Sequence, residues 1–290
     1  MKLDIFSHCA IDTICINDTN YVVPGGAACY CSLIAKTLKF DVMLHTKFGS
    51  DFPLVDYLSE KKILIENALS EKPTTKFILK ILSSDRTLFL ENKCDNIDYT
   101  QLNSDSVLIS PLFDEMSMYI FEKIKKDASF VFLDPQGFLR RKDLENKIYL
   151  EKTDLNLSGI SAIKTSPDEL ACLTNQHEDA GMKELQKKGI QNVILTNKQN
   201  ISLLSNDKIY SIKLPNLELF DTTGIGDIFS ATFCCTMIKE NDILWALSFA
   251  GGAAQSALES KQIGLEKIPS KGAIESNAYY FYNTIKFRQI

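Results

Sequence analysis

The chain has 290 residues, 45% hydrophobic and 24% charged, which excludes a dominantly disordered polypeptide and is enough to bury a sizeable core. Its 37 acidic residues outnumber 32 basic ones, and the formal charge of −5 argues against a general nucleic-acid-binding surface. There is no run of about 18 apolar residues, and Asp4 falls where a secretion signal would keep its apolar segment, so a cytoplasmic protein without a membrane span is expected.

In chain order, the apolar and β-branched residues of 3–11 predict a first strand. Two β-rich arms around Asn17-Asp18-Thr19-Asn20 then predict a hairpin at about 12–24. A Gly25-Gly26 pair precedes helical spacing over 27–38, and 41–48 reads as a second strand. Residues 75–91 repeat the hairpin pattern around Ser83-Ser84-Asp85-Arg86. Strands at 107–109, 130–133, 160–163 and 193–195 follow, with helices over 117–126 and 167–188 between them. Strands alternating with helices predict βαβ units: one α/β domain over 1–290, three layers deep, its sheet mostly parallel. The two hairpins, which break this rhythm, are expected to form a small β lid.

The eight cysteines include no Cys-x-x-Cys pair and read as reduced, buried small side chains. His8, His45 and His177 do not have the spacing of zinc ligands.

The segment richest in chemistry is Asp221-Thr222-Thr223-Gly224-Ile225-Gly226-Asp227, followed by an uncharged helical run over 228–238. Glycines let a ligand approach the backbone, and a helix N-terminus adds free N–H groups and a positive dipole end. Together they describe an anion site suited to phosphate. Asp227 then has two readings: a helix N-cap, or a base taking a proton from a hydroxyl about to be phosphorylated. Gly25-Gly26 is equally open to two readings, a tight strand-to-helix turn or a place where a ligand rests on the backbone.

Taken together, the two glycine segments make the chain resemble the ribokinase-like (PfkB) carbohydrate kinases over nearly its whole length. Other matches fall in order: Gly49-Ser50-Asp51, Asp134-Pro135, and the small residues of 250–257 followed by Gly264 and Pro269. The resemblance implies transfer of the γ-phosphoryl of ATP to a hydroxyl of a small sugar or cyclic polyol. Asp227 would be the base, with Gly224, Ile225 and Gly226 donating N–H groups to the phosphoryl. Asp12, at the end of the first strand, would bind substrate hydroxyls with Gly25, Gly26, Tyr30 and Asp51 nearby; Arg140, which follows Asp134 at a strand end, reads either as a substrate or phosphate contact or as a surface ion pair. Thr196, Lys198, Thr223, Gly224, Gly226, Ala253 and Gly264 would meet the nucleotide, and Glu169 a magnesium ion. ATP and Mg2+ are the implied cofactors, with a monovalent cation as a further candidate.

Three departures stand out. Tyr30 replaces a frequent substrate-contacting Asn, and Ser166 replaces the Asn of the Asn-x-x-Glu element that ends at Glu169. The nucleotide loop reads Thr196-Asn197-Lys198-Gln199-Asn200-Ile201, with Lys198 and Ile201 where the family carries glycines. A nucleoside kinase, with Tyr21, Phe77 and Phe89 as walls of a base slot, is the alternative reading. A non-catalytic ligand-binding member is a third, favoured by the altered loop and opposed by the intact Asp227. The open edge of the lid is expected to offer a pairing surface to a second copy.

Overall fold

The computed structural model describes residues 1–16, 19–82, 85–215 and 221–290. The expected turn residues Asn17, Asp18, Ser83 and Ser84 lie outside the described residues. The strands are β1 Lys2–Phe6, β2 Ala10–Ile16, β3 Thr19–Gly25, β4 Asp41–His45, β5 Ile63–Ile65, β6 Thr75–Leu82, β7 Asp85–Asn92 and β8 Ser106–Ile109. After them come β9 Phe130–Leu133, β10 Arg140–Lys142, β11 Ile148–Leu150, β12 Ala162–Thr165, β13 Asn192–Asn197, β14 Asn200–Ser205, β15 Lys208–Lys213 and β16 Lys286–Gln289. The helices are α1 Gly26–Thr37, α2 Val55–Glu60, α3 Met118–Asp127, α4 Gln136–Leu139, α5 Pro167–Thr174, α6 Glu178–Lys187, α7 Ile225–Glu240, α8 Ile243–Glu259 and α9 Lys271–Thr284.

Ten strands form the main sheet in the order β16-β15-β14-β13-β12-β9-β8-β1-β4-β5. Neighbours from β13 to β5 run parallel, and β14 to β16 extend one side antiparallel. The period of two sorts side chains between two cores. Leu108 and Phe132 enter the layer of α1, α7, α8 and α9, whereas Val107, Ile109, Val131 and Leu133 enter that of α3, α5 and α6. Both faces are covered, as a parallel sheet requires. The expected three-layer α/β architecture is therefore present.

The expected first strand is in fact two strands in different sheets. β1 stays in the main sheet, whereas β2 crosses into a four-stranded sheet of order β3-β2-β6-β7. The two hairpins build this lid sheet, joined by the parallel β2–β6 pair. A buried polar joint at His8 fixes the crossing. Its ring bonds to Thr75 Oγ1 and to the Asp95 carbonyl, both at 2.8 Å, and its backbone N–H donates to Glu115 Oε1 at 2.7 Å. Burial lowers the pKa of His8, with Glu115 opposing. The expected helix over 167–188 is also two helices. Asn175, left-handed at φ 56°, ends α5, and α6 restarts at Glu178.

Candidate active site

The two sheets enclose a cleft of about 360 Å³. From the lid sheet, Asp12, Phe77, Leu79 and Leu88 face into it. Asp12 does not end a strand: it lies within β2, in register with Val23 and Phe77. Ala10, Asp12 and Ile14 alternate onto the buried side, so the strand period aims the carboxylate inward. The other wall comes from the segment leading into α7, the start of α1, and Leu112, Gln136, Arg140 and Lys164.

Gly224 is the N-cap of α7, left-handed at φ 76°, and no side chain caps the helix. Asp227 is the third helical residue, so the capping reading is not the structure's arrangement. Its carboxylate instead lines the cleft in the first turn. Gly224 and Gly226 line the cleft beside it. Ile225 does not, and its N–H donates to the Thr222 carbonyl at 3.3 Å. Its expected donation to a phosphoryl is thus displaced by turn closure.

Gly26 holds the other glycine turn at φ 81°, where a Cβ would come to 2.6 Å from the His8 carbonyl oxygen. At Gly25 a Cβ would stand 2.6 Å from Asp12 Oδ2. The pair therefore makes a tight turn and also leaves room for the Asp12 carboxylate.

The electrostatics of the cleft centre on two carboxylates. Burial raises Asp12 to about 7, Asp227 adds to the rise, and Arg140 opposes it. Burial also raises Asp227 to about 7, reinforced by Asp134 and opposed by Lys164 and Arg140. A carboxylate near 7 is poised to accept a proton close to neutral pH. Arg140 is held by neutral acceptors, the Leu112 carbonyl at 3.0 Å and Gln136 Oε1 at 2.6 Å, so its charge faces the cleft. Lys164 is buried in β12 and pairs with Asp134 at 2.5 Å. Burial would lower the Lys164 pKa, but Asp134 and Glu169 outweigh it, and the ammonium stays charged.

Sequence reasoning missed Lys164, Gln136 and the aliphatic walls. One signal was available for Lys164: a lysine continuing an apolar strand is buried only with a partner. Two cleft-lining groups, the Tyr30 hydroxyl and Thr223 Oγ1, are buried with no hydrogen-bond partner among the described residues. Such groups carry a desolvation cost that a ligand could relieve. Arg86, in the second lid hairpin, reaches Thr222 Oγ1 at 2.5 Å and ties the lid to the glycine segment.

Other expected site residues lie elsewhere. Asp51 does not line the cleft; its Oδ1 accepts from Thr74 N at 2.8 Å and Thr74 Oγ1 at 2.7 Å, and its Oδ2 meets Lys76 at 3.0 Å. Glu169 shares a capping box with Ser166, Oε2 accepting from Ser166 N at 2.7 Å. The Ser-x-x-Glu spacing was a legible sign of that box. Thr196 donates to the Thr165 carbonyl at 3.3 Å, and Lys198, at φ 53°, lies in the β13–β14 turn. Ala253 is packed in the α8–α9 core, and Gly264 N donates to Asp221 Oδ2 at 3.2 Å. Among the described residues no cluster of three His, Cys, Asp or Glu side chains could hold a metal ion, and no helix is long and apolar enough to cross a membrane.

A family model described as pfkB family carbohydrate kinase matches residues 7–270. No curated protein matches the chain in sequence. Among solved structures, a pyrophosphate-dependent kinase in the ribokinase family, complexed with a pyrophosphate analog and myo-inositol, superposes with a TM-score of 0.80 at 18% identity, over 94% of this chain and 99% of its own. Arabidopsis thaliana ribokinase complexed with ribose and ATP gives 0.76 at 17% identity, over 96% and 98%. A Methanocaldococcus jannaschii nucleoside kinase gives 0.74 at 18% identity, over 97% and 99%.

Proposed function

The chain belongs to the pfkB family of carbohydrate kinases, and from that premise we propose that it transfers a terminal phosphoryl group to a hydroxyl of a small sugar or cyclic polyol. The observation that carries the reading is Asp227: a carboxylate raised to about 7, in the first turn of α7, lining the same cleft as Gly224, Gly226 and Asp12. A hydroxyl held by Asp12 would attack the terminal phosphorus. The bond from phosphorus to the leaving phosphate breaks as the new O–P bond forms, and the hydroxyl proton passes to Asp227. The N–H groups of Gly224 and Gly226, the α7 dipole and Arg140 would stabilise the charge on the transferring group. The lid would exclude water from the transfer.

Magnesium, when brought by the donor, supplies charge neutralisation on the phosphates. Such a donor-borne ion would keep its waters and phosphates and need only one or two carboxylates. Glu169, which does not line the cleft and whose Oε2 accepts from the Ser166 N–H, is the proposed carboxylate only through a bridging water.

The narrow cleft favours a small acceptor. Its apolar lining is Phe77, Leu79 and Leu88 from the lid sheet with Leu112 and Tyr30 from the main domain. Tyr21 and Phe89, the other walls of a base slot, do not line it. This favours a sugar or polyol over a nucleoside.

For the donor, ATP is the first reading and inorganic pyrophosphate the second. The second is favoured by a specific feature: the glycine-free β13–β14 loop is a tight turn closed by the Asn197–Asn200 pair, while Ala253 is fully buried in the core. Product formation with Mg2+ and either ATP or pyrophosphate, over pentoses, hexoses, inositols and nucleosides, tests the reading. Transfer to a sugar or inositol supports it, and higher efficiency with a nucleoside would displace it. Pairing of two copies through the lid, whose edge strand β3 exposes Val22, is proposed as the assembly and is read by light scattering.

A further inference from the structure

Lys267, in the turn after α8, is 1% exposed, and the reaction proposed above does not use it. Its ammonium donates to the Asp221 carbonyl at 3.0 Å, to Asp221 Oδ2 at 2.5 Å and to the Thr223 carbonyl at 2.9 Å. Gly264 N donates to the same Oδ2 at 3.2 Å, and Thr223 N to Oδ1 at 2.8 Å. Two main-chain carbonyls and a carboxylate thus converge on one positive centre inside the protein. Carbonyl oxygens turned onto a single point can replace the hydration shell of a monovalent cation. Here a covalently tethered ammonium already occupies that point.

The consequence for the cleft follows from peptide geometry. In a planar trans peptide the C=O and the next N–H point in opposite directions. Turning the Thr223 carbonyl onto Lys267 therefore turns the Gly224 N–H away from it. Gly224 lines the cleft. The cation behind the turn thus orients an anion-binding N–H in front of it. Burial lowers the Lys267 pKa, Arg86 adds to the fall, and Asp221 opposes it.

We infer that Lys267 is a built-in cation that sets the anion-binding turn in place of a dissociable monovalent ion, so that the protein works without K+ or Na+. Lys267 is a positioning residue, and the inference rests on the kinase reading for its effect on rate. It replaces the expectation that a monovalent cation is a cofactor, because the oxygens suited to one are already taken.

The test uses the full chain in tetramethylammonium salts against K+, Rb+ or NH4+ at equal ionic strength, reading melting temperature and, with whichever donor and acceptor give product, turnover. The parent protein should show the same melting temperature in all salts and turnover within about twofold. Lys267→Ala should lose turnover on the order of 10²-fold, the scale of losing an oriented oxyanion donor. It should regain both melting temperature and turnover selectively in K+, Rb+ or NH4+. Lys267→Met, whose side chain fills the cage, should not be rescued. A parent protein activated or thermally stabilised by K+ overturns the inference, as does a folded Lys267→Ala that no monovalent cation rescues. If that variant folds in no salt, the parent comparison decides alone. If no donor and acceptor give product, the kinase reading fails separately, and the melting temperatures still decide the role of Lys267.

Discussion

Gly224 lies flat against the ring of Tyr30: a Cβ at position 224 would come to 2.5 Å from both Cε1 and Cε2 of the phenol. The two glycine-rich segments, about two hundred residues apart in sequence, therefore meet at a glycine and an aromatic ring. Gly224→Ala faces both this clash and a φ of 76°, and it should lose stability and activity together. Tyr30→Phe should behave differently. It removes a buried hydroxyl with no partner among the described residues, so melting temperature should hold or rise. If that hydroxyl serves the acceptor, KM should rise by roughly 2–10-fold, the scale of one neutral hydrogen bond. A fall in melting temperature with KM unchanged would remove the acceptor role.

Asp227→Asn is expected to lower turnover by about 10²–10⁴-fold while leaving donor binding intact. The parent rate should fall as pH drops through about 7, where Asp227 takes up its proton. Stability has the opposite sign. The folded protein holds this proton near 7 while the unfolded chain releases it near 4, so the parent loses stability as pH rises through that window. The variant, lacking the penalty, should gain melting temperature on the parent at pH 8 relative to pH 4. Turnover within about threefold of the parent would end the role of Asp227 as base.

Asp12→Ala should weaken acceptor binding more than donor binding. Above about pH 7, where Asp12 is ionised, a hydrogen bond to this charged group is worth roughly 1.5–3 kcal/mol, or about 10–150-fold in KM. An unchanged acceptor KM would show that Asp12 does not hold the hydroxyl.

Lys164→Met should cost stability strongly, about 3–5 kcal/mol, because it leaves Asp134 charged and buried without its partner. Adding Asp134→Asn should recover much of that loss. The Lys164 charge also opposes the rise in Asp227, so its removal should move the pH limb of turnover upward. A limb that stays in place in a folded variant would separate Lys164 from the base.

Asp51→Ala should act on the lid rather than on direct acceptor contact, since Asp51 binds Thr74 and Lys76 of the lid strand β6 or its approach. Burial would raise the Asp51 pKa, but hydrogen bonds from Thr74 and Lys76 lower it to about 2. Its contribution is present above about 4 and is lost as pH falls towards 2. The variant should therefore narrow its stability gap to the parent under acid denaturation. A gap that is constant with pH would contradict the role.

The sequence by itself determined the alternating α/β architecture, the two β hairpins and the glycine turn that opens α7. Each is written in contiguous residues: periodicity in the strands, glycines in the turns, and an uncharged run in α7. Tertiary structure alone decided three things. It moved Asp12 from a strand end to the inner face of the lid, because the chain breaks β1 from β2 around buried His8. It turned Asp227 from a candidate cap into a cleft carboxylate, because Gly224 takes the capping position. It also brought Lys164 to Asp134 and Lys267 to Asp221, pairs separated by 30 and 46 residues. No local pattern encodes such pairs: a buried ammonium is tolerable only where the fold supplies its oxygens, and those oxygens come from remote segments that meet only when the chain folds.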